Sequence, residues 1–156
     1  MITFETKRCI IRKFMEKDIS SFMAYRNDEK WMRFQGFKGL TAKEYEDILL
    51  KDNSLEEGIQ LAITNKMTDK IIGDLYVKKT DDSFSIGYTM SPLYARQGYT
   101  YEATLGLIEW IQARGVKKIY GTVMQENHAS KHLLEKLNFK FVEIDENEEE
   151  VWKYKF

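Results

Sequence analysis

The most regular pattern lies in the middle of the chain. Ile59, Leu61 and Ile63 alternate with polar neighbours, the period of two that sets every second side chain on one face of a strand, and Asn65 to Lys70 supplies a turn before a second run, Ile71 to Lys78. A further turn at Thr80-Asp81-Asp82 leads into Ser83 to Met90, where Phe84, Ile86, Tyr88 and Met90 share a face until Ser91-Pro92 ends the pairing. The pattern predicts three antiparallel strands in succession.

On either side the period lengthens. Ile19, Phe22, Met23 and Arg26 recur at helical spacing, with Ile19, Phe22 and Met23 turned to a core, and Asp28 to Phe34 reads as a second helical piece. Thr41 and Glu44 form a T-x-x-E capping box that starts a helix with Tyr45, Ile48 and Leu49 on its apolar face. Thr100 to Arg114 carries Ala103, Leu107, Trp110 and Ile111 on one side, and Gly115 is placed to end it in a left-handed conformation. Asn127 to Leu137 reads likewise, with Leu133, Leu134 and Leu137 inward and Asn138 just beyond the end. Extended segments complete the chain: Thr6 to Phe14, Lys118 to Met124, Lys140 to Ile144 and Val151 to Phe156, the last two joined by the acidic turn Asp145 to Glu150. Strands and helices in this order predict a mixed α/β (α+β) sheet of about six or seven strands in one domain, residues 1–156.

Composition removes several classes of function. The 24 Lys and Arg against 25 Asp and Glu leave a net charge of −1, without the basic excess that nucleic-acid binding requires. The longest apolar run is Phe22 to Tyr25, far short of a membrane span, and the first residues carry no signal-peptide pattern, so a soluble, unprocessed protein is expected. Cys9 is the single cysteine; with no internal disulfide possible, a cytoplasmic location is the expectation.

Chemistry enters at Arg96-Gln97-Gly98-Tyr99-Thr100-Tyr101, between a strand and the start of a long helix. Helix N-termini present unsatisfied N–H groups and partial positive charge, so a phosphate-bearing ligand suits such a loop; an ordinary strand-to-helix turn is the alternative. Neither G-x-G-x-x-G nor G-x-x-x-x-G-K-[ST] occurs, which excludes the dinucleotide and P-loop readings.

Ile86-Gly87-Tyr88-Thr89-Met90-Ser91-Pro92 is similar to the motif I-G-Y-x-[LM]-x-P, and Gly98-Tyr99-Thr100-Tyr101-Glu102-Ala103 to G-Y-[AG]-T-E-A. Asn127-His128-Ala129-Ser130 with Leu134-Glu135-Lys136-Leu137-Asn138-Phe139 resembles N-x-x-S…[VL]-[LM]-E-K-L-G-F, and Arg8-Cys9-Ile10-Ile11-Arg12 resembles R-L-x-L-R. Together, in this order, the four segments resemble the GNAT superfamily of N-acetyltransferases, and in particular its ribosomal-protein-acetyltransferase-like (RimJ/RimL) branch. The phosphate loop [QR]-x-x-G-x-[GA] is matched with departures: its first position falls on Ala95, Arg96 follows one place later, and its last is Thr100, whose β-branch predicts weakened affinity.

The resemblance implies a mostly antiparallel sheet with helices on both faces, whose fourth and fifth strands splay at a β-bulge near Tyr88 to Met90. It implies acetyl-CoA as cosubstrate, no metal, an amine acceptor (protein N-terminus, polyamine, amino sugar or other small amine) and direct acetyl transfer, with a homodimer left open. Cosubstrate would be held by Tyr88, Thr89, Met90, Arg96, Gln97, Gly98, Tyr99, Thr100, Tyr101, Asn127 and Ser130, and the Met90 amide would stabilise the oxyanion. The tyrosine that commonly returns the proton falls on Leu134, leaving Ser130 as candidate acid or first-turn cap. Glu126 is a base candidate or a solvated loop carboxylate, as are Asp74 and Glu102 with structural alternatives. Trp31, Phe34, Phe37 and Tyr45 form either the acceptor pocket or core. His128 and His132, four apart with no third ligand, read as surface residues, and the acidic turn as a solvated tip or a cation lure. The rival reading is a non-catalytic acyl-CoA-binding or interaction domain on the same fold.

Overall fold

The computed structural model describes residues 2–156. Its eight strands form one sheet in the order β1-β2-β3-β4-β5-β6-β8-β7: β1 (Phe4–Glu5), β2 (Cys9–Lys13), β3 (Ile59–Asn65), β4 (Ile71–Thr80), β5 (Ser83–Met90), β6 (Lys118–Met124), β7 (Phe139–Ile144) and β8 (Glu149–Tyr154). All pairings are antiparallel except β5 with β6. The two-residue β1, too short to leave a periodic signal, carries the count past the expected number.

Four α-helices cover both faces: α1 (Ile19–Arg26), α2 (Ala42–Leu49), α3 (Tyr99–Gln112) and α4 (His128–Lys136). Phe22 and Tyr25 of α1 and Tyr45 and Leu49 of α2 pack on one face with Ala62 and Ile71; Leu107, Ile108, Leu134 and Leu137 pack on the other with Leu61, Ile63 and Leu75. Because both faces are covered, the run Leu61 to Thr64 is buried throughout, and the alternation in β3 separates two cores rather than core from solvent. The capping box is present, with Thr41 Oγ1 accepting from the Glu44 amide at 3.2 Å and Glu44 Oε1 from the Thr41 amide at 3.0 Å.

Three local expectations change. Asp28 to Phe34 is a series of turns and not a helix; it contains a helical Met32 N–H to Asp28 C=O bond of 2.9 Å that does not propagate. Ile48, placed inward by its spacing, is exposed. Glu149 and Glu150 leave the acidic turn to open β8, where Glu150 pairs with Lys131 at 2.9 Å.

The splay between β5 and β6 positions the site. Their parallel pairing runs from Ser83↔Lys118 to Ile86↔Gly121 and then stops, while β6 continues against β8 to Met124. No β-bulge accompanies it, since β5 keeps one register with β4 from Thr80↔Ser83 to Gly73↔Met90. The strands part with β5 unkinked and still paired to β4.

Candidate active site

The unbroken β4–β5 register decides which backbone groups face the opening. The Ser91 N–H bonds the Ile72 C=O at 2.8 Å, and antiparallel pairs alternate between bonded and non-bonded, so Asp74 and Thr89 form a bonded pair while Gly73/Met90 and Leu75/Tyr88 do not. The N–H and C=O groups of Tyr88 and Met90 therefore point away from β4, into the gap that β6 has vacated. The Met90 carbonyl there accepts the Trp31 indole N–H at 2.8 Å, which ties the Asp28–Phe34 turns across the opening.

Two cavities meet at this gap. One of about 240 Å³ is lined by Tyr88, Asn127, Ser130 and Gly121, and one of about 420 Å³ by Trp31, Thr89, Met90, Thr100, Glu126 and again Ser130. A third, of about 490 Å³, opens on the α1–α2 side between Phe37, Tyr76, Tyr88 and Thr89. Tyr88 and Gln35 line all three, so Tyr88 marks their junction.

At that junction the Tyr88 hydroxyl lies 2.6 Å from Ser130 Oγ and 3.2 Å from the Ser130 carbonyl. Burial pushes the Tyr88 phenol up to about 12, against the lowering effect of the Ser130 hydrogen bond, so it remains protonated at neutral pH. Ser130 is not the cap of α4: Asn127 fills that role, its Oδ1 accepting from the Ser130 amide at 3.2 Å. The Ser130 hydroxyl is left to Tyr88 and the cavity.

The loop before α3 is built for exposed donors. Gly98, with φ of +82°, is the N-cap and has no side chain to cap the helix, and the first intrahelical bond is Glu102 N–H to Gly98 C=O. The amides of Tyr99, Thr100 and Tyr101 thus have no partner within the helix. Arg96, at φ of +61°, and Gln97 are exposed beside them. The aromatic rings of this turn are already engaged: Arg8 stacks on Tyr99 at 4.0 Å and the Lys136 ammonium sits 4.4 Å from the Tyr101 ring.

Arg8 was legible only as part of an opening motif; the structure makes it the loop's anchor. Its Nη1 donates to the Gln97 carbonyl at 3.0 Å and its Nε to Glu102 Oε1 at 2.7 Å, while Glu102 Oε2 accepts from the Arg8 amide and the Thr6 hydroxyl. Burial acts to raise the Glu102 carboxyl, but the bonds from Thr6 and Arg8 outweigh it and hold the group below the usual carboxylate range. That occupancy makes Glu102 a clamp between the β1–β2 turn and α3.

Asp74 is also committed. Buried at 1% exposure, it accepts from the Tyr25 hydroxyl, the Arg26 guanidinium and the Gln60 amide, all on the α1–α2 side. Burial pushes the Tyr25 phenol well above its usual range, with the Asp74 charge acting in the same direction. Glu126 alone among the three carboxylates is exposed, at the wall of the 420 Å³ cavity. Of the early aromatics, Trp31, Phe34 and Phe37 line cavities, whereas Tyr45 is core, its hydroxyl donating to Asn27 at 2.6 Å. His128 and His132 are both exposed.

The sequence matches the family described as acetyltransferase (GNAT) domain over residues 8–140. A relative named uncharacterized N-acetyltransferase YnaD, from Bacillus subtilis (strain 168), is 24% identical over 138 residues, 86% of this chain and 81% of its own. The fold is shared with an acetyltransferase (GNAT family) from Bacillus anthracis at a TM-score of 0.84 and 18% identity, over 97% of each chain. It is shared too with RimL, a ribosomal L7/L12 alpha-N-protein acetyltransferase in complex with coenzyme A (0.81, 12%, 97% of each), and with spermidine N-acetyltransferase from Vibrio cholerae in complex with CoA and spermine (0.78, 14%, 94% of this chain and 93% of that one). With the domain match spanning both the β5–β6 opening and the loop before α3, the chain belongs to the GNAT family of acetyl-CoA-dependent acetyltransferases.

Proposed function

We propose that this protein transfers the acetyl group of acetyl-CoA directly to a primary amine at the junction of the three cavities. The observation that carries the reading is the conjunction of unpartnered helix amides at Tyr99–Tyr101 with cleft-facing amides of Tyr88 and Met90 in one continuous opening. The first set suits a pyrophosphate and the second an amide-bearing arm, so the residues fit coenzyme A.

In this reading Arg96, Gln97, Gly98 and the amides of Tyr99, Thr100 and Tyr101 hold the phosphates, Arg8 fixing the loop that presents them. Tyr88 and Thr89 flank the reacting centre, Asn127 shapes the start of α4, and acetyl-CoA supplies the thioester. The Met90 N–H is placed to donate to the thioester carbonyl oxygen as charge develops on it. The amine must first lose a proton, since alkylammonium groups are mostly protonated at neutral pH, and Glu126 is the carboxylate positioned to take it through solvent. The amine nitrogen then bonds to the carbonyl carbon, the carbon–sulfur bond breaks, and the thiolate takes a proton from the Ser130–Tyr88 pair, while the nitrogen, cationic after attack, gives up its second proton through solvent to leave a neutral amide and restore the pair. The segment Trp31–Gln35 covers the centre from water.

Thermal unfolding with ligands tests the reading. Acetyl-CoA, and neither NAD nor ATP, should raise the melting temperature, by about 2.7 kcal/mol of stabilisation at a hundredfold excess over Kd. No shift at millimolar acetyl-CoA overturns it.

A further inference from the structure

The 490 Å³ cavity on the α1–α2 side reaches β5 at Gly87–Thr89, directly behind the Tyr88–Ser130 junction. Under the function proposed above it is where the acceptor sits, and its lining carries information about that acceptor's charge. Phe37, Ile48, Tyr76 and Tyr88 give it apolar walls. Among the described residues that line it, Arg26 and Asp74 are the only charged ones, and they are paired with each other.

The pair leaves no anion for a ligand. A carboxylate has about four acceptor sites. Asp74 already receives Tyr25, Arg26 and Gln60, and its side chain is 1% exposed. The unmet polarity points the other way: Arg26, 3% exposed, donates from Nη1 to the Phe37 carbonyl and from Nη2 to Asp74, while its Nε–H has no partner. What the network has spare is a donor.

From this we infer that the acceptor is a primary amine carrying a single positive charge on a neutral, largely apolar body, and that the neutralised Arg26–Asp74 pair excludes polyamines and aminoglycosides. The reacting nitrogen sheds its charge before attack, but a second ammonium would be taken from water into a cavity with apolar walls and no free carboxylate, beside a surplus donor. Such a charge is costly to bury without a partner. An aromatic or aliphatic body meets the opposite situation, since it removes apolar surface from water against Phe37, Ile48 and the tyrosines.

The acidic turn does not restore the attraction. None of Asp145, Glu146, Glu148, Glu149 and Glu150 lines this cavity, Asp145 accepts backbone amides of its own turn, and Glu150 is paired with Lys131. Glu149 lines the 240 Å³ cavity on the far side of Tyr88, not this one.

The test measures kcat/KM with acetyl-CoA for 2-phenylethylamine, for a neutral peptide amide with phenylalanine at its free N-terminus, and for spermidine. The monocationic amines should exceed spermidine by at least about tenfold; which of the two leads separates a free small amine from a chain N-terminus. Ile48→Glu, at an exposed position on the cavity rim, adds an unpaired carboxylate without disturbing the core and should raise the value for spermidine several-fold while leaving the melting shift with acetyl-CoA unchanged. Spermidine equal to or better than the monocations overturns the inference with the transferase reading intact. Acetyl-CoA binding without transfer to any of the three amines overturns both.

Discussion

Removing the Ser130 hydroxyl separates chemistry from structure at the centre of the site. In Ser130→Ala the 2.6 Å contact with Tyr88 is lost, but the Tyr88 hydroxyl keeps the Ser130 carbonyl at 3.2 Å, and the Asn127 cap, which bonds the Ser130 amide, is untouched. The structural cost is one partly buried hydrogen bond with no orphaned partner, about 1 kcal/mol. For a chain of this size that lowers the melting temperature by about 2 to 4 °C. If the hydroxyl supplies the leaving thiolate's proton, kcat falls by roughly 10² while acetyl-CoA affinity holds, because a positioned acid acts in the transition state. Tyr88→Phe should lower kcat comparably, and the double variant should be no slower than the slower single one, since both hydroxyls belong to one relay. Thiol release in single turnovers, alongside melting curves, measures both quantities. Unchanged kcat in Ser130→Ala and Tyr88→Phe, with only the melting temperature lowered, would refute the relay and leave proton return to solvent.

The same tyrosine gives a pH prediction for stability. Its phenol is pushed up to about 12 in the folded state, so the stability linked to its protonated form is complete below pH 10 and is lost as the pH climbs from 10 through 12, roughly 3 kcal/mol in all. Urea midpoints of wild type should fall more steeply than those of Tyr88→Phe over that range; parallel curves would contradict it. At the phosphate loop, Gly98→Ala forces a side chain into φ of +82° with its Cβ 3.3 Å from Arg8 Nη2, which costs about 1 to 2 kcal/mol and should weaken acetyl-CoA stabilisation in the melting assay; an undiminished shift would misplace the phosphates. Glu102→Gln should lower stability through the Arg8 clamp yet leave the pH profile of kcat/KM in place, whereas a displaced acidic limb would return Glu102 to the role of base.

Local signals carried most of the fold. The Thr41–Glu44 box, Gly115 at φ of +76° and Asn138 at φ of +72° are end signals whose chemistry is set by a few neighbouring residues, and each appears where its pattern placed it. What failed depended on distant partners. Met32 makes one helical bond, but Trp31 next to it is drawn to the Met90 carbonyl, a contact spanning 59 positions that no local pattern contains. Ile48 has the spacing of a core residue, yet it borders a cavity rather than a packed layer. In the site, Ser130, Met90 and the Gly98 loop were visible as motifs. The Tyr88–Ser130 hydroxyl pair, the Arg8 clamp and the buried Arg26–Asp74 pair were not, because each joins residues from separate elements. Burial and partners on α1 and β3 mark Asp74 as a structural carboxylate, and bonds from Thr6 and Arg8 mark Glu102, all of them contacts that exist only once the sheet is assembled.

Under the proposed function, acetyl passes in one step from acetyl-CoA to an amine held beside Tyr88. Mass spectrometry of a reaction with isotopically labelled acetyl-CoA and an amine acceptor, with free thiol counted in parallel, tests it most directly. Direct transfer gives one labelled amide per thiol released and no labelled protein, at any time point. Labelled protein that forms and decays on the path to product, or acetyl-CoA bound by the cleft without any amide appearing, would contradict it.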